Sequence, residues 1–476
     1  MGLVSLHVII TFRMRFITII LLASWLATAT LALATPELGQ LWSIPQQPVA
    51  YEVSKTYTRG NLQVEEVYYG SREYKGHPVK IFGYFCYPKG RGKLPGLLIC
   101  HGGGGTANLP GAIVWAQHGY AVLAIDLPGK GEQRWHSRSG GPDMDVPILL
   151  RTSPDPSYNY LIHAVAAVRN GITFLTEREE VNPNRLGMVG LSWGGVITLL
   201  TNGQDTRLKA AVNVFGAGFI SEGCTWQDRF ALKSSQEVTQ WETLIDPKNF
   251  LATQHAPILF MTGTNDHCYY LPTFQKSYEE ITVPKKLVFL PNSRHQFLPY
   301  MQAIVFQWLD DKLKNTGRSF PNVQIGALQR KGQRLIIPAI IQSDTGRIKP
   351  TLYYSAGPLR KWTTRYWQEV YGFHEDGVWY FGLPIAQVQP DVVFYIQAAD
   401  DRGAAAASSI RSLLRVQLPD NQITYALSSP IRQVNHQELP LQILGYKGML
   451  PAIRITFNKP QQVYQLVFPA PQLVNS

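Results

Sequence analysis

Between about residues 80 and 300, short apolar runs alternate with longer stretches of helical spacing. The runs at 79–87, 96–100, 121–125, 185–189, 210–214, 257–262 and 286–290 are rich in Val, Ile, Leu and Phe and are bounded by Gly, Pro and Asp. Such runs suit strands buried on both faces of a parallel sheet. From Tyr158 to Thr176, the residues Leu161, Val165, Val168, Ile172 and Leu175 recur at intervals of four and three. That stripe predicts an amphipathic helix packed on the sheet. Asn182-Pro183-Asn184 predicts a turn into the next strand. The alternation as a whole predicts an α/β fold with a doubly wound, mostly parallel sheet and right-handed crossovers.

After about residue 318 the texture changes. The stretches 351–355, 377–381, 392–398 and 452–457 are short, aromatic and β-branched, with Asp376-Gly377 and Arg402-Gly403 among the turn signals between them. They predict a smaller β-rich, sandwich-like C-terminal domain. The boundary falls near Lys314–Pro321, giving a catalytic unit over 35–317 and an accessory unit over 318–476.

The N-terminus reads differently again. Arg13 and Arg15 flank Met14, an uncharged apolar run covers 16–34, and the run closes on Ala32-Leu33-Ala34. Positive, apolar and then small residues is the order of a cleaved secretory signal, here 1–34. The expected location is therefore secreted or periplasmic, with an uncleaved N-terminal membrane anchor as the alternative. No other uninterrupted apolar run reaches membrane length, so no stable span is expected after cleavage.

Composition narrows the function classes. The chain has 476 residues, 45% hydrophobic and 16% charged, which excludes a disordered polymer. The net charge is +11, but no Lys/Arg run accompanies it, so nucleic acid is not an expected partner. Cys86, Cys100, Cys224 and Cys268 contain no CxxC pair, which leaves a zinc or thioredoxin-like site unsupported.

Four motifs carry chemistry. Gly190-Leu191-Ser192-Trp193-Gly194 fits G-x-S-x-G between a strand and a helix, where a Ser on a sharp turn is held out as a nucleophile. His101-Gly102-Gly103-Gly104-Gly105 follows the 96–100 strand. Successive glycines bare backbone N–H groups, which an oxyanion site needs, and the expected donors are Gly103 or Gly104 with Trp193. Asp266, in Thr262-Gly263-Thr264-Asn265-Asp266, stands at a strand end where an acid could orient an imidazole; Asp246 is the runner-up. His295, in Pro291-Asn292-Ser293-Arg294-His295, follows the last strand and is the expected base, ahead of His267. The chain order is Ser192, Asp266, His295.

With these motifs in place, the chain resembles the α/β-hydrolase superfamily over roughly 80–315. In detail it resembles the secreted acetyl xylan esterase and dienelactone hydrolase-like branch, with kinship to the catalytic domain of prolyl oligopeptidases. Residues 121–131, AVLAIDLPGKG, add to that likeness. Dienelactone hydrolases proper use a Cys nucleophile, whereas position 192 is Ser. The resemblance implies a Ser-His-Asp triad, an acyl-enzyme, and no metal or cofactor. If the fold holds, Cys224 and Cys268 follow neighbouring strands, and a disulfide between them or free thiols both stay open.

Two long insertions, 127–160 with Arg134, Trp135, His136 and Arg138, and 216–255 with Trp226 and Trp241, leave the C-terminal strand ends where ligands bind. Arg134, Trp135 and Trp226 are the substrate-pocket candidates; the tryptophans could equally be packing core. Trp362, Tyr366, Trp367, Trp379 and Tyr380 offer the tail a carbohydrate-binding face, with sandwich core as the other reading. The expected function is an exported serine esterase acting on a small-molecule or carbohydrate ester, with an acylated carbohydrate as the leading candidate. The alternatives are a serine peptidase of the oligopeptidase type and a non-catalytic binding protein on a hydrolase scaffold.

Overall fold

The computed structural model describes residues 38–417 except 46, 132–133, 146–148, 317, 358–360 and 389–391, together with strands at 423–428, 441–443, 454–458 and 463–467. The signal segment read over 1–34 lies outside the described residues.

Nine strands form the main sheet: β1 (Tyr51–Arg59), β2 (Leu62–Tyr74), β3 (His77–Pro88), β4 (Leu94–Cys100), β5 (Ala121–Ile125), β6 (Val181–Leu191), β7 (Leu208–Val214), β8 (Ile258–Gly263) and β9 (Lys285–Leu290). Their order is β1-β2-β3-β5-β4-β6-β7-β8-β9. All pairings from β5 across to β9 are parallel. The pairings among β1, β2, β3 and β5 are antiparallel. The seven apolar runs become β3 to β9. The hairpin β1–β2 was not expected, although β2 carries a signal: Leu62, Val64, Val67 and Tyr69 are buried while Gln63, Glu66 and Tyr68 are not. The expected turn at Asn182-Pro183-Asn184 falls inside β6, where the register against β4 jumps from Asn182 to Leu186. Pro183 has no N–H to give the ladder, so the chain makes an irregularity rather than a turn.

After β4 the chain places β5 on one side and β6 on the other. The C-terminal ends of β4 and β6 therefore flank the point where strand order reverses, which is where open α/β sheets bind ligands. Helices Tyr160–Glu177, Trp193–Asn202 and Leu271–Glu279 cover one face, and Leu109–Gln117 and Pro299–Lys314 cover the other. The predicted helical stripe belongs to Tyr160–Glu177, whose start is capped by the Asn159 side chain accepting from Leu161 N. Among the described residues, no helix is long and apolar enough to cross a membrane.

The last helix ends at Lys314, and two further sheets follow from Asn322. One runs Asn322–Ile325, Arg334–Gln342, Val378–Pro384, Phe373–Glu375. The other is built around Ile348–Ser355, Val392–Asp400 and Arg411–Gln417. Leu335, Ile337 and Phe381 of the first meet Leu352, Phe394 and Leu413 of the second in one core. Asp376 and Gly377, with φ 50° and 78°, close the hairpin between Glu375 and Val378, as a two-residue loop with two positive φ angles does.

These sheets are packed onto the α/β part, not strung beside it. Trp362, Trp367, Val393, Tyr395 and Ile410 join the same core as the helices on β6. The sandwich-core reading is thus corrected for Trp362 and Trp367, which are buried at the junction because their segment lies against the loops that follow β8 and β9. Tyr366 between them is exposed. The edge strand β9 is covered too: Phe289 N–H donates to Gln397 Oε1 at 2.9 Å, and its ring packs 4.8 Å from that of Tyr395.

On the opposite face, Trp308 is buried and its indole N–H donates to Ala211 O at 3.1 Å. Trp308→Ala is expected to cost about 3–5 kcal/mol, read as a lower midpoint in urea unfolding.

Candidate active site

Ser192 stands between β6 and the helix Trp193–Asn202 with φ 56° and ψ −117°. This left-handed conformation is strained for a residue with a side chain. Its backbone is held on both sides, Ser192 N donating to Val214 O at 2.8 Å and Ser192 O accepting from Val196 N at 3.0 Å. The glycines of the motif are needed for packing: a Cβ on Gly190 would collide with Gly194 O, and one on Gly194 with Cys100 O. Trp193 opens the helix, so its N–H has no partner within the helix.

The glycine loop after β4 lies beside this turn. A Cβ on Gly102 would come within 3.0 Å of Ser192 Cβ, and one on Gly103 within 3.1 Å of the Trp193 ring. The loop is fixed from behind. His101 Nδ1 pairs with Gly102 O at 2.7 Å, and its Nε2 accepts from Leu127 N–H at 3.0 Å. This pattern is that of a neutral imidazole, and burial lowers the His101 pKa accordingly. Its 3.7 Å approach to Asp126 is therefore not an ion pair. Arg134 is buried and locks the same loop: Nε donates to Gly105 O at 2.6 Å, and the guanidinium also reaches Asp126 Oδ1 at 2.9 Å, Pro128 O at 2.9 Å and Leu127 O at 2.6 Å.

Asp266 and His295 meet from the ends of β8 and β9. His295 Nδ1 donates to Asp266 Oδ2 at 2.8 Å. The carboxylate also accepts from Thr262 Oγ1, Cys268 N and Tyr269 N. Burial works to lower the His295 pKa, but the hydrogen bond to Asp266 and the contact with Cys268 outweigh it and raise the group to about 9. The pair accordingly adds stability that is fully present below pH 6.5 and is lost as pH rises through about 9. Asp246, the runner-up acid, is elsewhere: it is buried, holds Phe219, Ile220 and Lys248 N–H groups, and burial lifts it to about 6.

One cavity of about 940 Å³ gathers these groups. Gly103, Gly104, Ser192, Trp193 and His295 all line it, as do Arg134 and Trp226. Arg134 nonetheless spends its donors on Gly105 O, Asp126 and the carbonyls of Leu127 and Pro128. Trp226 forms a wall, its ring 4.9 Å from that of Trp193. Trp135 does not line the cavity; it is 75% exposed. It follows the inward-facing Arg134 in a turn, and its side chain takes the outward side. Trp241 is packing core, its indole N–H donating to Leu149 O at 2.9 Å. Sequence reasoning missed Phe215, Phe297, Asp145 and Cys268 on the cavity wall. Phe215 had a weak signal, as the residue that directly follows β7.

All four cysteines are free thiols, including Cys224 and Cys268. Cys268, Asp266 and His295 bring metal-capable atoms within 4.8 Å of one another. The Asp266 carboxylate already accepts four hydrogen bonds and His295 Nδ1 is committed to it, so the cluster is a hydrogen-bonded carboxylate–imidazole pair with a thiol at its side.

A sheet reversing order at a serine turn, with a glycine loop beside it and an Asp–His pair from the last two parallel strands, defines an α/β-hydrolase fold. Residues 81–307 match the model of the Dienelactone hydrolase family, and the chain carries a domain of that family. Among curated proteins, the acetyl esterase Axe7A of Xylanibacter ruminicola is 23% identical over 249 residues, 49% of this chain and 56% of its own length. The putative hydrolase YtaP of Bacillus subtilis is 26% identical over 185 residues, 36% of this chain and 58% of its own. The chain thus spans about half the length of the curated relatives it matches. Among solved structures, acetyl xylan esterase 1 of a Thermoanaerobacterium species is 18% identical with a TM-score of 0.48, covering 57% of this chain and 92% of that one.

Arg134→Met would leave Asp126 buried beside an apolar side chain. It is expected to destabilise the protein by about 3–5 kcal/mol, measured as a fall in the urea midpoint at constant slope.

Proposed function

We propose that this protein is a serine esterase whose triad is Ser192, His295 and Asp266. The observation that carries the reading is the convergence of Ser192, the Gly103–Gly104 loop, Trp193 and His295 on one cavity, with His295 already paired to Asp266. Ser192 Oγ attacks the ester carbonyl carbon while His295 Nε2 takes its proton. Asp266, holding Nδ1–H, fixes the tautomer and steadies the imidazolium. The N–H groups of Trp193 and of Gly103 or Gly104 receive the oxyanion. The tetrahedral species then collapses, and His295 returns the proton to the leaving alcohol. Water, activated by the same imidazole, attacks the acyl-enzyme carbonyl, releasing the carboxylic acid and the Ser192 hydroxyl.

The proposed substrate is an acetyl ester of a carbohydrate. The names of the acetyl esterase and acetyl xylan esterase relatives support it, as does the Trp226 wall, since aromatic faces pack on sugar rings. Export to the periplasm or medium, through the segment 1–34, belongs to the same proposal. A peptidase reading would need a carboxylate for a peptide amine, and Asp145 on the cavity wall is the residue to test.

With the full chain and a short-chain aryl acetate, Ser192→Ala is expected to lose on the order of 10⁴-fold or more in kcat, with no turnover of an aminoacyl anilide by either protein. Wild-type-like ester hydrolysis by Ser192→Ala would sink the serine mechanism, and anilide turnover by the wild type that is abolished in Asp145→Asn would move the reading to a peptidase.

His295 must be neutral to accept a proton. With its pKa raised to about 9, kcat/KM is expected to climb through neutral pH with its midpoint near 9 and to level off only above that. Asp266→Asn removes the main raising influence and leaves burial opposed only by Cys268, so the midpoint is expected to move down in pH, with kcat lower by on the order of 10⁴-fold. A midpoint that stays in place would detach the profile from this pair.

A further inference from the structure

We infer that the segment Trp362–Trp367 of the C-terminal sheets is a clamp on the two loops that carry Asp266 and His295, with Asn265 and Asn292 as positioning residues. The inference rests on the triad reading above and extends it to a part of the chain that no catalytic motif covers.

The two loops are first tied to each other. Thr264 N donates to Leu290 O at 3.0 Å, and Asn265 N to Ser293 O at 2.9 Å. Asn292 N donates to Thr264 Oγ1 at 2.8 Å, and that hydroxyl donates to Asn265 Oδ1 at 2.9 Å. The remaining atoms of both side-chain amides then turn to the C-terminal segment. Asn265 Nδ2 donates to Arg365 O at 2.5 Å and Thr363 O at 3.3 Å. Asn292 pairs with the Trp367 backbone in both directions, Nδ2 to Trp367 O at 2.9 Å and Trp367 N to Oδ1 at 2.8 Å. Asn265 immediately precedes Asp266, and Asn292 lies three positions before His295.

The clamp is itself anchored. Arg365 is buried and donates to Ser355 O at 3.1 Å and to Gly357 O, and its guanidinium lies 4.8 Å from the Trp362 ring. Trp367 packs 5.1 Å from Tyr395 on the central strand Val392–Asp400. Loops are otherwise the mobile parts of a fold. Here two loops whose relative position sets a 2.8 Å hydrogen bond are each stapled to the segment that leads into the strand Gln368–Tyr371 of the second C-terminal sheet. The C-terminal sheets thereby act as part of the catalytic frame.

A second junction gives the control. Gln275, on the helix Leu271–Glu279, makes an equivalent two-way pair with Ile410: Nε2 to Ile410 O at 3.1 Å and Ile410 N to Oε1 at 2.6 Å. These two bonds join the same two parts of the chain and go to neither triad loop.

The test uses the full chain, with active sites counted by a serine-reactive phosphonate so that kcat refers to folded enzyme. Asn292 has φ 56°, so Asn292→Gly removes the amide without adding strain; Asn265→Ala is the second variant. Each is expected to lower kcat per active site by on the order of 10- to 100-fold, with KM nearly unchanged. Asn292→Asp keeps the acceptor for Trp367 N–H and is expected to recover part of the loss. Gln275→Ala is expected to lower the melting temperature while keeping wild-type kcat. Wild-type kcat in both asparagine variants, or an equal loss in Gln275→Ala, would overturn the clamp and leave a merely structural junction. Turnover surviving in Ser192→Ala would instead overturn the triad reading beneath it.

Discussion

Ser192 occupies backbone angles that a residue with a Cβ adopts at a cost of about 1–3 kcal/mol, and the surrounding structure is arranged to hold it there. The turn is gripped through Ser192 N on β7 and through the first turn of the following helix. Strand and helix approach so closely that Gly190 and Gly194 have no room for side chains. β4 must lie next to β6 for the glycine loop to face the turn, and the reversal of strand order at β4 provides that adjacency. The rest of the site is arranged around a hydroxyl that the backbone holds in a fixed place.

The parts of this arrangement that could be read from the sequence share one property: they depend on local chemistry. Strands buried on both faces announce themselves as continuous apolar runs, so β3 to β9 were legible. Ser192, Asp266 and His295, the proposed triad, stood out as candidates because each follows such a run at a strand end, and the structure brings Ser192 and His295 to one cavity with His295 paired to Asp266. β1 and β2 were not, because an antiparallel hairpin with one polar face gives a weaker alternation, and the β2 pattern is easily taken for a loop. Arg134 and Trp135 are adjacent in a turn, and no spacing rule states which of two neighbours faces inward. Arg134 was expected in the substrate pocket; it does line the cavity, while its donors go to Gly105, Asp126 and two further carbonyls.

The role of Trp362 and Trp367 was illegible for a different reason. The partners of their segment lie 75 to 100 positions earlier in the chain. Aromatic residues in a β-rich tail look alike whether they fill a sandwich, bind a sugar or seal a junction. Only the tertiary structure separates these, and it puts both rings in the seam between the sheets, with Tyr366 between them facing solvent.

The main sheet ends on β9, and a terminal strand normally leaves a row of N–H and C=O groups open to any passing chain. Here Gln397 reaches across to Phe289 N–H and Tyr395 covers the adjoining ring. The opposite border, β1, manages its exposure with Lys55, Arg59 and a bulge between Val53 and Lys55. One border is defended by charge and irregularity, the other by a neighbour. A chain shortened near Lys314 would therefore bare the free edge of β9 at its apolar end, Leu287 to Leu290, and the C-terminal sheets double as the guard that keeps one molecule from adding its sheet to the next.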